Sequence, residues 1–268
     1  MIFYFSGTGN TRWAAHQVAE QLCDQLLYVP EIMDQETEYT LTDGEALGFI
    51  FPVHGWRPPL LIRRFIEQLQ IKNVTKNTFI FALCTAGDSI GRTMEIFSSD
   101  LQIRGWHLNA AYTLIMPESY VGLPFMDVDS PEKEHRKKQQ AAEDLKYYLT
   151  LLKQYTTTYP TSAEEINLHR GPIPCFFSGP VGAYFVKKLV TDKRFHVTTE
   201  RCISCGKCES VCPVRDIEMR QEGDKKYPIW LHNDRCLTCF TCYHHCPTHA
   251  IEFGRQTQKK GQYVFSEE

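Results

Sequence analysis

The sequence predicts an α/β chain in which a doubly wound, five-stranded parallel sheet is followed by a small, cysteine-dense α+β domain. Short apolar runs alternate with amphipathic helical stretches over residues 1–155, and such alternation favours parallel strands joined by crossover helices. Eight of the eleven cysteines fall between Cys202 and Cys246. A hydroxyl- and glycine-rich hexapeptide, Ser6–Thr11, separates the first apolar run from the first helical stretch.

Five apolar runs are interpreted as the strands of the sheet. Each is short and is followed by turn-forming or helix-starting residues, as buried parallel strands usually are. In chain order the predicted strands are Ile2–Phe5, Leu26–Val29, Ala46–Val53, Thr78–Thr85 and Trp106–Met116.

Four helices are predicted between and after these strands. Two cover Thr11–Cys23 and Gly91–Arg104. Another begins near Pro59, because a proline in the first helical turn loses no hydrogen bond. The last begins at Ser130, whose hydroxyl can cap the helix ahead of Pro131. The helix after Pro59 has an apolar stripe formed by Ile62, Phe65, Ile66 and Leu69.

Changes in pattern predict the domain boundaries. Residues 1–155 are expected to form the α/β domain, and the periodicity fails over Tyr155–Thr161. A connector is expected over 156–196, with an apolar, proline-containing helix between the two halves of the chain. The cysteine-dense domain is expected over 197–254, and 255–268 is a tail without a predicted structure.

The charge balance and the apolar runs exclude several classes of function. Twenty-nine basic and 32 acidic residues give a formal charge of −3, which speaks against a nucleic-acid-binding surface. No apolar run reaches the roughly 18 residues that cross a bilayer, so membrane insertion is not expected. The N-terminus lacks the pattern of a signal peptide, which predicts a cytoplasmic location. Disulfides are disfavoured there, and clustered cysteines indicate metal binding or redox chemistry.

The clustered cysteines form two copies of one motif, C-x2-C-x2-C-x3-C-P. The first copy spans Cys202–Pro213 and the second Cys236–Pro247. Three thiolates spaced two residues apart can wrap one face of a cubane [4Fe-4S] cluster, and the proline prevents a regular helix after the fourth cysteine. Structural zinc is the alternative, because four thiolates also suit zinc, although zinc modules usually separate their cysteine pairs further.

This segment resembles the bacterial ferredoxins with two [4Fe-4S] clusters. In those proteins the fourth cysteine of each motif ligates the other cluster. The resemblance therefore implies two crossed sets of metal ligands. One set is Cys202, Cys205, Cys208 and Cys246, and the other is Cys236, Cys239, Cys242 and Cys212. The three cysteines outside the motifs are expected to be buried, inert thiols: Cys23, Cys84 and Cys175.

The hexapeptide after the first strand has the composition of a phosphate-binding loop. Its two glycines let backbone N–H groups converge on one anion, its hydroxyls add donors, and the helix N-terminus favours negative charge. It lacks the lysine of a Walker A loop, and Arg12 stands where a dinucleotide fingerprint has its third glycine. An ordinary glycine turn before a helix is the alternative. The candidate residues are Ser6, Gly7, Thr8, Gly9, Asn10 and Thr11.

The hexapeptide resembles the FMN-phosphate loop of flavodoxins, and residues 1–155 are similar in layout to a flavodoxin-like domain. The resemblance implies that FMN binds at the carboxyl ends of the strands, against the loops after the third and fourth strands. Trp56 is the first candidate for stacking on the ring, with surface packing as the alternative, and His54 is a weaker candidate. Residues 116–120 are expected to close the site. The predicted FMN contacts in the two loops are Pro52, Val53, His54, Gly55, Trp56, Thr85, Ala86, Gly87 and Asp88.

With both resemblances, the chain is identified as a member of the flavodoxin–ferredoxin fusion proteins of anaerobic microorganisms. This membership implies an electron-transfer protein that passes electrons between FMN and two [4Fe-4S] clusters and links one-electron with two-electron redox partners. The partners are expected to be redox proteins or a small-molecule electron acceptor. The alternatives are a flavin-dependent reductase of a small organic substrate, fed by the clusters, and a zinc-stabilised binding module. No catalytic residue is predicted.

Overall fold

The computed structural model describes residues 1–35, 37–155, 164–166 and 168–267. Most of the predicted linker over Tyr155–Thr161 lies outside these described residues. The first part of the chain contains β1 (Ile2–Tyr4), α1 (Asn10–Leu22), β2 (Leu26–Tyr28), α2 (Val29–Ile32), β3 (Glu38–Thr40), β4 (Leu47–Pro52), α3 (Leu60–Gln68), β5 (Gln70–Lys72), β6 (Ile80–Ala86), α4 (Thr93–Ile103), β7 (Ala110–Ile115), α5 (Pro131–Tyr155) and β8 (Glu164–Ile166).

The central sheet is parallel throughout, with the strand order β2-β1-β4-β6-β7-β8. All five predicted strands are therefore confirmed, and their order is second, first, third, fourth, fifth. This is the flavodoxin-like order, in which the chain reverses direction across the sheet between its first and third strands. The short strand β8 extends the sheet beside β7, and β3 and β5 form a separate parallel pair.

Two apolar cores lie on opposite faces of the sheet, because successive strand residues point to opposite sides. On β4, Phe49 and Phe51 belong to one core, which α3 and α4 cover. Ile50 belongs to the other core, which α1 and α5 cover. The Tyr148 hydroxyl on α5 donates a hydrogen bond to the Thr113 carbonyl on β7 at 2.9 Å and fixes this helix on the sheet.

Some predicted boundaries and one prediction about cysteines need correction. The fifth strand starts at Ala110 rather than at Trp106, which lies in the turn after α4 with the Arg104 guanidinium 5.1 Å from its ring centre. Cys84 is buried as expected, but Cys23 and Cys175 are exposed. Cys23 lies at the end of α1 and Cys175 in the short, exposed helix Pro174–Phe176. The apolar residues near them in the sequence therefore did not indicate burial.

The second part of the chain begins with the helical connector that the sequence predicts. Short α-helical turns alternate there with two π-helical turns, Phe177–Val181 and Phe185–Leu189. The elements are α6 (Pro174–Phe176), α7 (Gly182–Tyr184), β9 (Phe195–Val197), α8 (Lys207–Ser210), β10 (Ile217–Glu222), β11 (Lys225–Trp230), α9 (Thr241–His244) and β12 (Ile251–Phe253). Strand β9 pairs with β12, and β10 pairs with β11, both antiparallel. Within the described residues, no helix is long and apolar enough to span a membrane.

Candidate cofactor sites

A pocket of about 1150 Å³, including its open mouth, lies at the carboxyl ends of β1, β4, β6 and β7. Its walls contain every predicted FMN-contact residue except Gly9. The topology explains this convergence, because the carboxyl ends of parallel strands meet at one edge of the sheet. Four loops that are far apart in sequence are thereby placed around one space.

The phosphate-binding candidate loop forms one end of the pocket. The Ser6 hydroxyl accepts a hydrogen bond from the Gly9 N–H at 3.2 Å. The Thr11 and Thr85 hydroxyls are 2.7 Å apart and join the first loop to the end of β6. Thr8 is 6 % exposed, and α1 begins directly after the loop. Buried hydroxyls at a helix N-terminus form a suitable environment for an anion.

Gly9 shapes this loop without lining the pocket. Its φ of 103° lies in the left-handed region that L side chains rarely adopt, and a Cβ atom there would lie 2.9 Å from Cβ of Phe265. The Phe265 N–H donates a hydrogen bond to the Thr8 carbonyl at 2.8 Å. Gly9 is therefore required by backbone conformation and by the close approach of the C-terminal tail.

The loop after β4 provides an aromatic wall. Trp56 has a φ of 59°, its indole N–H donates a hydrogen bond to the Ser89 hydroxyl at 3.1 Å, and its ring centre is 4.8 Å from that of Phe177. His54 is also on this wall, and burial lowers the pKa of its imidazole to about 4. The imidazole is therefore neutral near pH 7, and the wall carries no charge from this residue.

The segment after β7 brings a carboxyl group into the pocket. Glu118 accepts hydrogen bonds from the backbone N–H groups of Ser119 and Tyr120 through Oε1, at 2.9 and 2.8 Å. Its other oxygen, Oε2, would be 2.2 Å from a Cβ atom added to Gly87. Burial raises the pKa of this carboxyl above its usual value. The prediction that 116–120 closes the site agrees with this position, and Tyr120 also lines the pocket.

The opposite wall comes from parts of the chain that the sequence did not connect to the pocket. Phe185 of the connector lines it, and so do Leu237, Thr238 and Cys239 of the second cysteine motif. The Phe185 ring lies 2.5 Å from where a Cβ atom of Gly55 would be. The apolar character of the connector was visible in the sequence, but nothing in that pattern specified which surface the connector covers.

A buried serine attaches the connector to the pocket loops. Ser178 is 2 % exposed, and its hydroxyl donates a hydrogen bond to the Trp56 carbonyl at 2.8 Å and accepts one from the Arg92 N–H at 2.7 Å. The Arg57 guanidinium donates to the Ser178 carbonyl at 2.8 Å. These bonds hold the connector on the loop after β4, so Phe185 has a fixed position.

The two cysteine motifs surround two cavities of about 320 and 300 Å³, including their mouths. Each cavity is lined by three cysteines of one motif and by the fourth cysteine of the other. The larger is lined by Cys202, Cys205, Cys208 and Cys246. The smaller is lined by Cys212, Cys236, Cys239 and Cys242. The crossed arrangement that the resemblance implied is thus the spatial arrangement of the thiols.

The two motifs have matching backbones. Ser204 and Thr238, at equivalent positions, have φ values of 58° and 48°. The N–H four residues beyond each fourth cysteine donates to its sulfur, from Asp216 to Cys212 at 3.3 Å and from Ala250 to Cys246 at 3.2 Å. N–H groups directed at sulfur stabilise thiolate ligands and tune cluster potentials.

The spacing of the thiols suits a group larger than a single ion. Among the described residues, no three His, Cys, Asp or Glu side chains come close enough together to hold one metal ion. Burial raises the pKa of the Cys239 thiol to about 11, so the thiolate form needs a nearby positive charge such as iron supplies. The donor set of four thiols around each cavity fits an iron–sulfur cluster.

The pocket and the smaller cysteine cavity share a wall. Leu237 and Cys239 line both spaces. In addition, the Thr241 hydroxyl would lie 2.8 Å from a Cβ atom on Gly7, so the second motif rests directly on the phosphate-binding candidate loop. A group in the pocket and a group held by Cys239 would therefore be neighbours.

The C-terminal tail joins the two parts of the molecule. The Tyr263 hydroxyl donates a hydrogen bond to Oδ1 of Asn10 at 2.6 Å, and its N–H donates to Nδ1 of His244 at 3.1 Å. The Phe265 ring lies 5.5 Å from that of Trp13, between ring centres. The tail, for which the sequence predicted no structure, is a strap across the phosphate-binding candidate loop.

Comparison with known proteins identifies the cysteine-rich part. Residues 201–250 match the family of 4Fe-4S dicluster domains, so this part of the chain is an iron–sulfur domain of the ferredoxin type. No curated protein matches the chain.

Several solved structures resemble part of this chain. One is a putative flavoprotein from Bacteroides uniformis, with 19 % identity over 42 % of this chain and 88 % of that chain, and a TM-score of 0.33. A flavodoxin from Streptococcus pneumoniae has 17 % identity over 55 % of this chain and 97 % of its own, with a TM-score of 0.29. The azoreductase AzrA has 9 % identity over 57 % of this chain and 99 % of its own, with a TM-score of 0.32.

Proposed function

We propose that this chain is an electron-transfer protein that binds FMN in the pocket and a [4Fe-4S] cluster in each cysteine cavity. One observation carries the proposal: Leu237 and Cys239 belong to the walls of both the pocket and the smaller cavity. Residues 1–155 would be the flavin-binding domain and 197–254 the ferredoxin domain. The connector over 156–196 and the tail over 255–268 would hold the two domains together.

The residues of the pocket fit FMN. The hydroxyls of Ser6, Thr8 and Thr11 are buried at the start of α1 and suit a phosphate bound mainly by neutral donors. Trp56 and Tyr120 provide aromatic surfaces at the other end. Bound FMN would supply a store for two electrons, and each cluster would carry one electron at a time. A carrier of this composition links one-electron with two-electron redox partners, either redox proteins or a small-molecule acceptor.

The composition of the protein after anaerobic purification tests this proposal. We expect one flavin and about eight iron atoms per chain, as two [4Fe-4S] clusters require, and a visible spectrum with flavin bands on a broad iron–sulfur shoulder. Zinc in place of iron and acid-labile sulfide would contradict it. Flavin without iron would indicate a flavoprotein that has no iron–sulfur cluster beside the pocket.

A flavin-dependent reductase is the second candidate, and Glu118 is the observation that favours it. Its carboxyl group lines the pocket and burial raises its pKa, so it can hold a proton closer to neutral pH than an exposed glutamate can. Reoxidation of the dithionite-reduced protein separates the two functions. Rapid reoxidation by redox proteins supports the carrier, whereas turnover with small organic acceptors alone, lost in Glu118→Gln, supports the reductase.

A further inference from the structure

The two cysteine loops have the same local structure but opposite environments. Ile203 and Leu237 each follow the first cysteine of their motif. Ile203 is 61 % exposed, whereas Leu237 is 4 % exposed. Lys207 and Thr241, each directly before the third cysteine, show the same contrast, because Lys207 is exposed and Thr241 is buried. One loop therefore faces solvent and its repeat faces the rest of the molecule.

The buried loop, Cys236–Cys242, is fixed between the pocket and the connector. The Thr238 hydroxyl accepts a hydrogen bond from the Thr191 N–H at 2.7 Å and lies 3.1 Å from the Thr191 carbonyl. Leu237 and Cys239 line the pocket and the smaller cavity at once. Among the described residues, none lines both the pocket and the larger cavity.

The exposed loop, Cys202–Cys208, leads from the larger cavity to the surface. Cys205 is exposed and lines that cavity together with Ile203. The exposed charges around it are mixed in sign, with Glu200, Lys207 and Glu209 close in sequence. Such a surface offers an apolar contact with little net charge.

From these observations, and on the basis of the proposed function, we infer a fixed order of electron transfer. The cluster held by Cys212, Cys236, Cys239 and Cys242 exchanges electrons with the flavin. The cluster held by Cys202, Cys205, Cys208 and Cys246 exchanges them with an external partner that docks on Ile203. At each step one centre loses an electron and the next gains it, and no bond forms or breaks.

The external partner is a one-electron redox protein with an apolar docking surface. Leu237 shows how this repeat position is used inside the molecule, where its side chain is covered by the flavin-binding part of the chain. Ile203 is the same position left uncovered, next to an exposed cluster ligand. A protein surface would bury Ile203 as the pocket wall buries Leu237, and the mixed charges imply an association that depends weakly on salt.

A stopped-flow experiment with a matched pair of variants tests the order. The probe is a bacterial two-[4Fe-4S] ferredoxin, reduced with dithionite, freed of excess reductant and mixed with the oxidised holoprotein. Ferredoxin docking gives a phase whose rate depends on ferredoxin concentration, and electron transfer to the flavin gives a phase that does not. We expect Ile203→Lys to slow the concentration-dependent phase about tenfold, which is within the range seen for interface variants, and to leave the concentration-independent phase unchanged. Leu237→Ala should slow the concentration-independent phase and leave the concentration-dependent phase unchanged.

Two further measurements keep the test decisive. Ile103→Lys is the control. Ile103 is 83 % exposed on the α/β part, so its substitution should alter neither phase. Hydrogen exchange of the wild-type holoprotein with oxidised ferredoxin needs no variant. Slower exchange of the amides of 202–208 supports the order, and protection of another surface without them overturns it.

Failure of the order is distinguishable from failure of the proposed function. A wild-type protein without flavin or without acid-labile sulfide contradicts the function. A protein that contains both, but whose concentration-dependent phase is slowed by Leu237→Ala and not by Ile203→Lys, retains the function and overturns the order.

Discussion

The two walls of the pocket differ in origin. One wall consists of loops that directly follow β1, β4, β6 and β7, so its residues are placed by the ends of neighbouring strands. The other consists of Phe185 and of Leu237–Cys239, which come from the connector and the ferredoxin-type domain. The first wall belongs to the sheet and its loops, whereas the second exists only because the connector and the ferredoxin-type domain dock on them. Cofactor retention should therefore respond differently to damage on each side.

The largest effect is expected from Gly9→Val in the phosphate-binding candidate loop, whose other residues belong to the first wall. The substitution places a β-branched residue at a φ of 103°, with its Cβ 2.9 Å from Phe265. Strain of about 3 kcal/mol in the flavin-bound protein relative to the apoprotein corresponds to about a hundredfold weaker flavin binding. Flavin titration of the apoprotein measures this. Gly44→Ala is the control, because Gly44 also has a positive φ but no heavy atom within 4 Å of the added Cβ. Equal losses in the two variants would contradict a local role for Gly9.

An effect of similar size is expected from Phe185→Ala in the docked wall. Phe185 is 7 % exposed, and removal of a buried aromatic ring costs about 3 kcal/mol. Flavin retention should fall, while iron content stays at the wild-type value because no cysteine cavity contains Phe185. Combined flavin and iron assays measure the split, with Phe176→Ala, at a 51 % exposed position, as the control. Loss of iron together with flavin would show that the connector stabilises both domains and not only the docked wall of the pocket.

The next effect is a pH dependence from His54. Burial lowers its folded-state pKa to about 4, against about 6.5 in an unfolded chain. Because the unfolded chain binds the proton first, the free energy of unfolding falls as the pH drops below about 6.5. The expected slope is about 1.4 kcal/mol per pH unit, or about 2 kcal/mol by pH 5. Denaturant titrations of wild type and His54→Gln at about pH 6.5 and pH 5 measure this change in the free energy of unfolding. An equal change in the two proteins would show that another group causes the pH dependence.

The smallest effect is expected from Tyr263→Phe in the tail. The variant removes the 2.6 Å hydrogen bond to Asn10 but keeps the ring, and one hydrogen bond contributes about 1 kcal/mol. We expect a flavin dissociation constant up to about fivefold higher, because that energy corresponds to a factor of about five, with unchanged iron content. Tyr147→Phe, at a 54 % exposed tyrosine, is the control. An unchanged flavin affinity would show that the strap stabilises the domains without acting on the phosphate-binding candidate loop.

Local sequence patterns predicted the elements that depend on local physics. The alternation of apolar runs predicted the five core strands, and the spacing of Ile62, Phe65 and Ile66 predicted the buried face of α3. The cysteine spacing likewise predicted cluster-binding loops, because closely spaced ligands restrict the geometry of their loops, whereas the crossed sets were implied by the resemblance to two-cluster ferredoxins. The strand β8 was missed, because three residues give too little periodicity to be recognised.

The docked wall could not be predicted, because nothing local to its residues specifies it. The local sequence does not distinguish Ser178 from a serine in an ordinary glycine-containing turn, although its hydroxyl joins the connector to Trp56 and Arg92. Leu237 and Ile203 occupy equivalent positions in a repeat, and only the folded chain distinguishes the buried one from the exposed one. Interactions of this kind depend on the complementarity of two distant surfaces, which a single sequence does not display.

The crossed cysteine sets also govern how the domain is assembled. Each cavity takes its fourth thiol from the other motif, so Cys246 must return to Cys202, Cys205 and Cys208 before the larger cavity is complete. A covalent link that closes a segment of this length lowers the conformational entropy of the unfolded chain. This stabilises the folded domain by an amount on the order of 4 kcal/mol. On the proposed function, neither half of the domain would hold a complete ligand set alone, and a cluster in one cavity would bring the ligands of the other together. Maturation with iron and sulfide would therefore, on the proposed function, be a cooperative event.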